Sequence, residues 1–248
     1  MPNWRDLMVE VKATPAAHDQ LRQKYLQKLF QYTHRNAIVY YSGWQDKNVP
    51  ADVGRHVFPI NDADKNGFMT AIHGMNRALG LDLFLHTPGG DIAATESIVH
   101  YLRTMFGNNI RAVVPQMAMS GGTMIAKYHP TLISQCQLAI DWSEELVRNW
   151  LCENMFSDYS DADSRAQRVV DGLTDQSKTK SHTRHVHADV LSELGLDITP
   201  LEQDQELQDL VLSVHHALKL TLSTTGACKI IENHMGVAHM ISLTRPPQ

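Results

Sequence analysis

Cysteine is scarce in this chain: Cys136, Cys152 and Cys228 stand far apart, and no two share CxxC spacing. That spacing argues against a disulfide framework and for buried thiols in a reducing compartment. Long apolar runs are also missing. No stretch approaches the roughly 18 uninterrupted apolar residues that mark a membrane-spanning helix. The opening MPNWRDLMVEVKATPAAHDQ has no basic region followed by an apolar one, so the expectation is a cytoplasmic protein without a membrane segment. Positive charge is not in excess either: 22 Lys and Arg face 27 Asp and Glu, for a formal charge of -5. Without a basic surface, nucleic acid is not an implied partner. Low-complexity segments, HExxH and GxxxxGK are all absent, so no motif calls for a metal or a phosphate loop, and no cofactor is expected.

What is present is an ordinary globular composition, 43% hydrophobic and 20% charged over 248 residues, enough to bury a core unaided. Thr14 and Pro15 open a helix with Leu21, Tyr25, Leu26, Leu29 and Phe30 at helical spacing. Asn36 to Ser42, NAIVYYS, reads as a strand, and Gly43 to Arg55 as a loop. A helix capped by Asn61 or Asp62 carries Phe68, Ile72, Met75 and Leu79 before Gly80 stops it. Leu81 to His86 is a second strand, Asp91 caps the next helix, and Ile110 to Pro115 is a third strand. Helix and strand in alternation, with continuously apolar strands, predict an α/β parallel sheet with crossover helices. Beyond Ala126 the spacing turns helical: Pro130 to Trp150, Ser160 to Leu173, His187 to Leu194 and Gln203 to Leu222, with a tail of short helix or extended chain. The expected division is an N-terminal docking helix over 1–35, an α/β core over 36–126 and a helical region over 127–248.

The chain is organised around Leu83 to Ala126, in which two strands each run through a glycine turn into a helix, TPGGD at 87–91 and MSGGT at 119–123. Such turns gather free backbone N–H groups at one sheet edge and can hold an anion or a developing negative charge. Ser120 sits in the second turn, so a hydroxyl lies among backbone donors, as acyl transfer requires. The plainer reading is that Ser120 caps a helix and that Gly89, Gly90, Gly121 and Gly122 relieve tight turns.

LHTPGGDIAATESIVHYLR and VVPQMAMSGGTMIA resemble the two signatures of the serine dehydrogenase proteinase family, relatives of signal peptide peptidase A within the Clp and crotonase fold. The resemblance covers roughly Asn36 to Ala126 and continues more weakly through SHTRH at 181–185 and KIIENHMG at 229–236. It implies a serine endopeptidase that cleaves peptides or unfolded protein through an acyl-enzyme on Ser120, assembled as a homo-oligomer with a helical C-terminal extension. An exposed apolar face on Leu21, Tyr25 and Leu29 would suit such a subunit contact. The family's next strand and LGPIDP-type loop are absent after the serine helix. Only three strands are legible, too few for an open sheet, so a core segment is expected to be missing between Ala126 and Lys127.

On this reading Ser120 is the nucleophile, and the N–H groups of Gly90 or Asp91 and of Gly121 form the oxyanion hole. Gly89 and Met119 would contact substrate, which could add as a strand beside the TPGG turn. The base is open: Lys180 and His182 lead, with Lys127, Lys178 and His185 behind. The HxxHxH run His182, His185 and His187 completes no recognised metal spacing, and His86 is read as packing beside the turn. Two rivals stand beside the peptidase: an acyl-CoA enzyme of the crotonase type, which needs no serine nucleophile, and a Clp-fold scaffold without a base.

Overall fold

A computed structural model describes residues 4–12, 17–116, 130–174 and 187–243. It divides into two compact units, Met1–Gly121 with Asp204–Gln248, and Gly122–Gln203. The first unit is built on a five-stranded sheet in the order β3-β2-β1-β4-β5. Its strands are β1 (Asn36–Ser42), β2 (Leu81–His86), β3 (Ile110–Val113), β4 (Ala227–Asn233) and β5 (Ala238–Ser242). β1, β2 and β3 run parallel, with Asn36 opposite Leu81 and Leu81 opposite Ile110. β4 returns antiparallel beside β1, and β5 antiparallel beside β4.

Every residue of β1 and of β4 is buried, as strands covered on both faces must be. The helices of this unit are α1 (Trp4–Lys12), α2 (Ala17–Thr33), α3 (Ala51–Val57), α4 (Asp62–Ile72) and α5 (Ile92–Phe106). On one face α4 and α5 bring Phe68, Ile72, Ile98, Leu102 and Phe106 onto Ile38, Leu83 and Ile231. On the other, α2 packs against β1 and against a long C-terminal helix of Gln205–Thr224, which itself lies on β4. The second unit holds α6 (Pro130–Glu153), α7 (Ala162–Thr174) and α8 (Ala188–Glu193), so the C-terminal helix is α9. Phe156, Ala166 and Val169 form the second unit's own core, with Leu151, Leu173 and Leu194 against them.

β1 and β2 have the bounds expected from their apolar runs. Four expectations are corrected. The helix from Asn61 ends at Ile72, because Gly74 takes a positive φ of 79°, and Arg77–Leu79 is a separate turn of 3-10 helix. The segment read as a loop from Gly43 to Arg55 turns helical at Ala51, where α3 begins. The apolar face on Leu21, Tyr25 and Leu29 is buried within its own chain, so it offers no exposed patch to a neighbour. The shortage of strands is met by β4 and β5, from the tail read as short helix or extended chain, of which the extended alternative is the one observed. The place where a segment was expected to be missing, between Ala126 and Lys127, lies outside the described residues.

Candidate active site

β2 delivers its C-terminal end directly into the turn Thr87–Gly90, and Asp91 then caps α5. The Asp91 carboxylate accepts from Ala94 N at 2.8 Å, and its carbonyl accepts from Thr95 N at 3.0 Å. Gly89 adopts a φ of 84°, which only glycine takes readily, and its N–H donates to Thr87 Oγ1 at 3.2 Å. Gly90 is required for a different reason. A β-carbon there would lie 2.2 Å from Ile60 N and 2.3 Å from Ile60 O.

Ile60 approaches that closely because it forms an isolated parallel bridge with Gly90. Its N–H donates to Gly89 O at 2.9 Å, and its carbonyl accepts from Asp91 N at 3.0 Å. Two consequences follow for the oxyanion donors read from sequence. The Asp91 N–H is already engaged by Ile60, which removes it from the pair of alternatives. In a parallel bridge the groups of the central residue face away from the partner, and the Gly90 N–H has no partner among the described residues. It remains available at the N-terminal end of α5, where the helix dipole favours negative charge.

Behind this turn lies a buried polar network that the sequence reading missed. Lys229 of β4 and Asp64 of α4 have side chains 1% and 0% exposed. Lys229 Nζ donates to both Asp64 oxygens, at 2.9 and 2.8 Å, and to the Pro59 carbonyl at 2.9 Å. Asp64 Oδ2 also accepts from Tyr40 Oη at 2.9 Å and from Asn61 N at 3.0 Å. Burial lowers the Lys229 pKa, the Asp64 charge offsetting only part of that shift, whereas burial and Asp64 together push the Tyr40 phenol up. Lys229 is oriented as a donor, with Nζ directed at both Asp64 oxygens and at the Pro59 carbonyl. A lysine set among Ala227, Cys228, Ile230 and Ile231 was the signal for it.

A ring cluster covers the end of β2. His86 is fully buried, with its ring 4.4 Å from Trp44 and 5.3 Å from Tyr41. Tyr41 Oη lies 3.0 Å from His215 Nδ1. Burial, then the neighbouring His86, lowers the His215 pKa to about 3, so its ring is neutral in the folded protein. Among the described residues no group of three or more His, Cys, Asp or Glu is placed to hold a metal.

Of the site residues read from sequence, the structure places Gly89, Gly90 and Asp91 together at one turn. Ser120, Gly121, Met119, Lys180 and His182 lie outside the described residues, as do Lys127, Lys178 and His185.

No solved structure matches the chain. An uncharacterized protein of Methanocaldococcus jannaschii is 38% identical over 67 residues, 27% of this chain and 23% of that protein. The chain thus spans under a quarter of the length of the curated relative it matches. Residues 52–141 match the family model of the ClpP-like SDH-type serine proteinases. That span takes in Ile60, the TPGGD turn and the MSGGT run, so over this stretch the chain is similar to the ClpP-like SDH-type serine proteinases.

Proposed function

We propose that the protein is a serine peptidase that cleaves peptide bonds through an acyl-enzyme on Ser120. The observation that carries this reading is the turn at Gly90, pinned by Ile60 so that one backbone N–H is left without a partner among the described residues at the N-terminus of α5. The family match over 52–141 supports it. Ser120 Oγ attacks the scissile carbonyl while a base, Lys180 or His182, takes its proton. The carbonyl oxygen becomes an oxyanion that accepts from the N–H groups of Gly90 and Gly121. The base returns the proton to the departing amine, and water then attacks the ester carbonyl to release Ser120.

Each backbone donor of this kind lowers the barrier by about 3–4 kcal/mol. The substrate is a cytoplasmic peptide or an unfolded protein, laid beside Gly89 and Met119, and the working form is a homo-oligomer. Among the described residues no helix is long and apolar enough to cross a membrane. The test is cleavage of a mixed peptide library by the purified protein beside Ser120→Ala, read by mass spectrometry. Cleavage that disappears in the variant is the expected result. Equal cleavage by both removes Ser120 from the mechanism, and no cleavage by either favours the scaffold.

A further inference from the structure

The pair Lys229 and Asp64 is nearly inaccessible to water, and buried ion pairs of this kind are often replaceable by apolar residues without loss of stability. The geometry points instead to what the pair holds. Between α3 and α4 the chain passes through a short strap, Phe58 to Asn61, that reaches the glycine turn at Ile60. Its consecutive carbonyls are each taken by a different element. Ser42 Oγ of β1 donates to Phe58 O at 2.9 Å, Lys229 Nζ of β4 to Pro59 O at 2.9 Å, and Asp91 N at the start of α5 to Ile60 O at 3.0 Å. On the donor side, Ile60 N goes to Gly89 O at 2.9 Å and Asn61 N to Asp64 Oδ2 at 3.0 Å.

The residues flanking Ile60 are therefore fixed by the two members of the ion pair, Pro59 by Lys229 and Asn61 by Asp64. Ile60 itself fixes Gly89 and Asp91 on either side of Gly90. Helix capping accounts for Asp64 on Asn61. It does not account for Lys229, which comes from a strand 165 residues away and spends one donor on a strap carbonyl. Apolar replacements would fill the volume but leave Pro59 O and Asn61 N without these partners.

We propose that Lys229 and Asp64 are positioning residues that hold the strap, and through Ile60 hold the Gly90 N–H in the direction of the oxyanion. This rests on the peptidase reading for its catalytic consequence. A displacement of about 1 Å at a reacting centre costs on the order of 100-fold in rate. The pair thus acts on the rate of acylation and not on the capture of substrate.

The experiment compares the full-length protein with Lys229→Met/Asp64→Leu, in which neither charge is left buried alone. Arg22→Met/Glu232→Leu is the control, because Arg22 and Glu232 form an equally buried pair that touches no residue of the strap. Two readouts are taken. Amide hydrogen exchange at Ile60 and Asp91 is expected to rise at least about 10-fold in the first variant and to be unchanged in the control. Labelling of Ser120 by a fluorophosphonate is expected to slow about 10- to 100-fold, with peptide kcat falling and KM held. Unchanged exchange at Ile60 and Asp91 overturns the proposal, as does labelling at the wild-type rate in a protein whose wild type is labelled. A wild type that takes no label removes the nucleophile assignment, and the exchange measurement still decides whether the pair holds the strap. If the double variant does not fold, Lys229→Gln is read by the same two measurements, with the same expected directions.

Discussion

Replacing Gly90 with Ala places one methyl group where the structure has no room. The new carbon would stand 2.2 Å from Ile60 N, 2.3 Å from Ile60 O and 2.6 Å from Ile60 Cα. All three are backbone atoms, so no side chain can swing aside, and the bridge must open. Opening it removes the bonds Ile60 N to Gly89 O and Asp91 N to Ile60 O. Each contributes about 0.5–1.5 kcal/mol net, and displacing the strap adds about 1 kcal/mol or more of strain. The sum is about 2–4 kcal/mol. In a chain of this size 1 kcal/mol moves Tm by about 2–4 °C, so Gly90→Ala lowers Tm by about 4–16 °C. On the proposed mechanism peptide hydrolysis falls at least about 100-fold, because the Gly90 N–H proposed to meet the oxyanion moves with the turn. Gly107→Ala is the comparison: that residue has a φ of 60° but nothing within 4 Å of the added carbon, so it loses only the backbone preference, about 1–2 kcal/mol, with activity intact. The assays are thermal unfolding and peptide hydrolysis. A Gly90→Ala protein as stable and as active as Gly107→Ala would refute the close-approach argument.

His215 makes the fold acid-sensitive. Its pKa is lowered from 6.5 to about 3 by burial and by His86. The unfolded chain therefore binds the proton first, and stability complete above pH 6.5 is lost as pH falls toward 3, by at most about 1.4 kcal/mol per pH unit. Urea denaturation at pH 7.5 and pH 5.0 should show wild type losing about 2 kcal/mol more than His215→Gln; equal losses would contradict this. Arg22 Nε lies 2.6 Å from Glu232 Oε2, with both side chains 1% exposed. Arg22→Met alone strands that carboxylate and costs about 3–5 kcal/mol, and Arg22→Met/Glu232→Leu recovers most of the loss. A single variant as stable as the double one in urea would show that the carboxylate finds another partner.

The parts of the fold that were legible are those whose burial follows from their own residues. β1 and β2 are continuous apolar runs between turn residues, and the two ends of each were readable. β4 was not, because Lys229, Glu232 and Asn233 break the apolar pattern of ACKIIEN although all are buried. Their burial is made tolerable by Asp64, Arg22 and the Ala71 carbonyl, each more than 150 residues earlier in the chain. At the site, the glycines of TPGGD announced a turn with free donors. Which donor is free depends on Ile60, 30 residues away in a loop, and no local pattern marks that bridge. The same long-range contact turns the choice between Gly90 and Asp91 toward Gly90.

The most direct test of the central claim is a crystal structure of the protein treated with a fluorophosphonate. The account predicts phosphorus on Ser120 Oγ and a phosphonyl oxygen about 2.7–3.1 Å from the Gly90 N, with the Ile60 bridge intact behind it. An adduct on another side chain, or a phosphonyl oxygen turned away from Gly90 toward other donors, would contradict it.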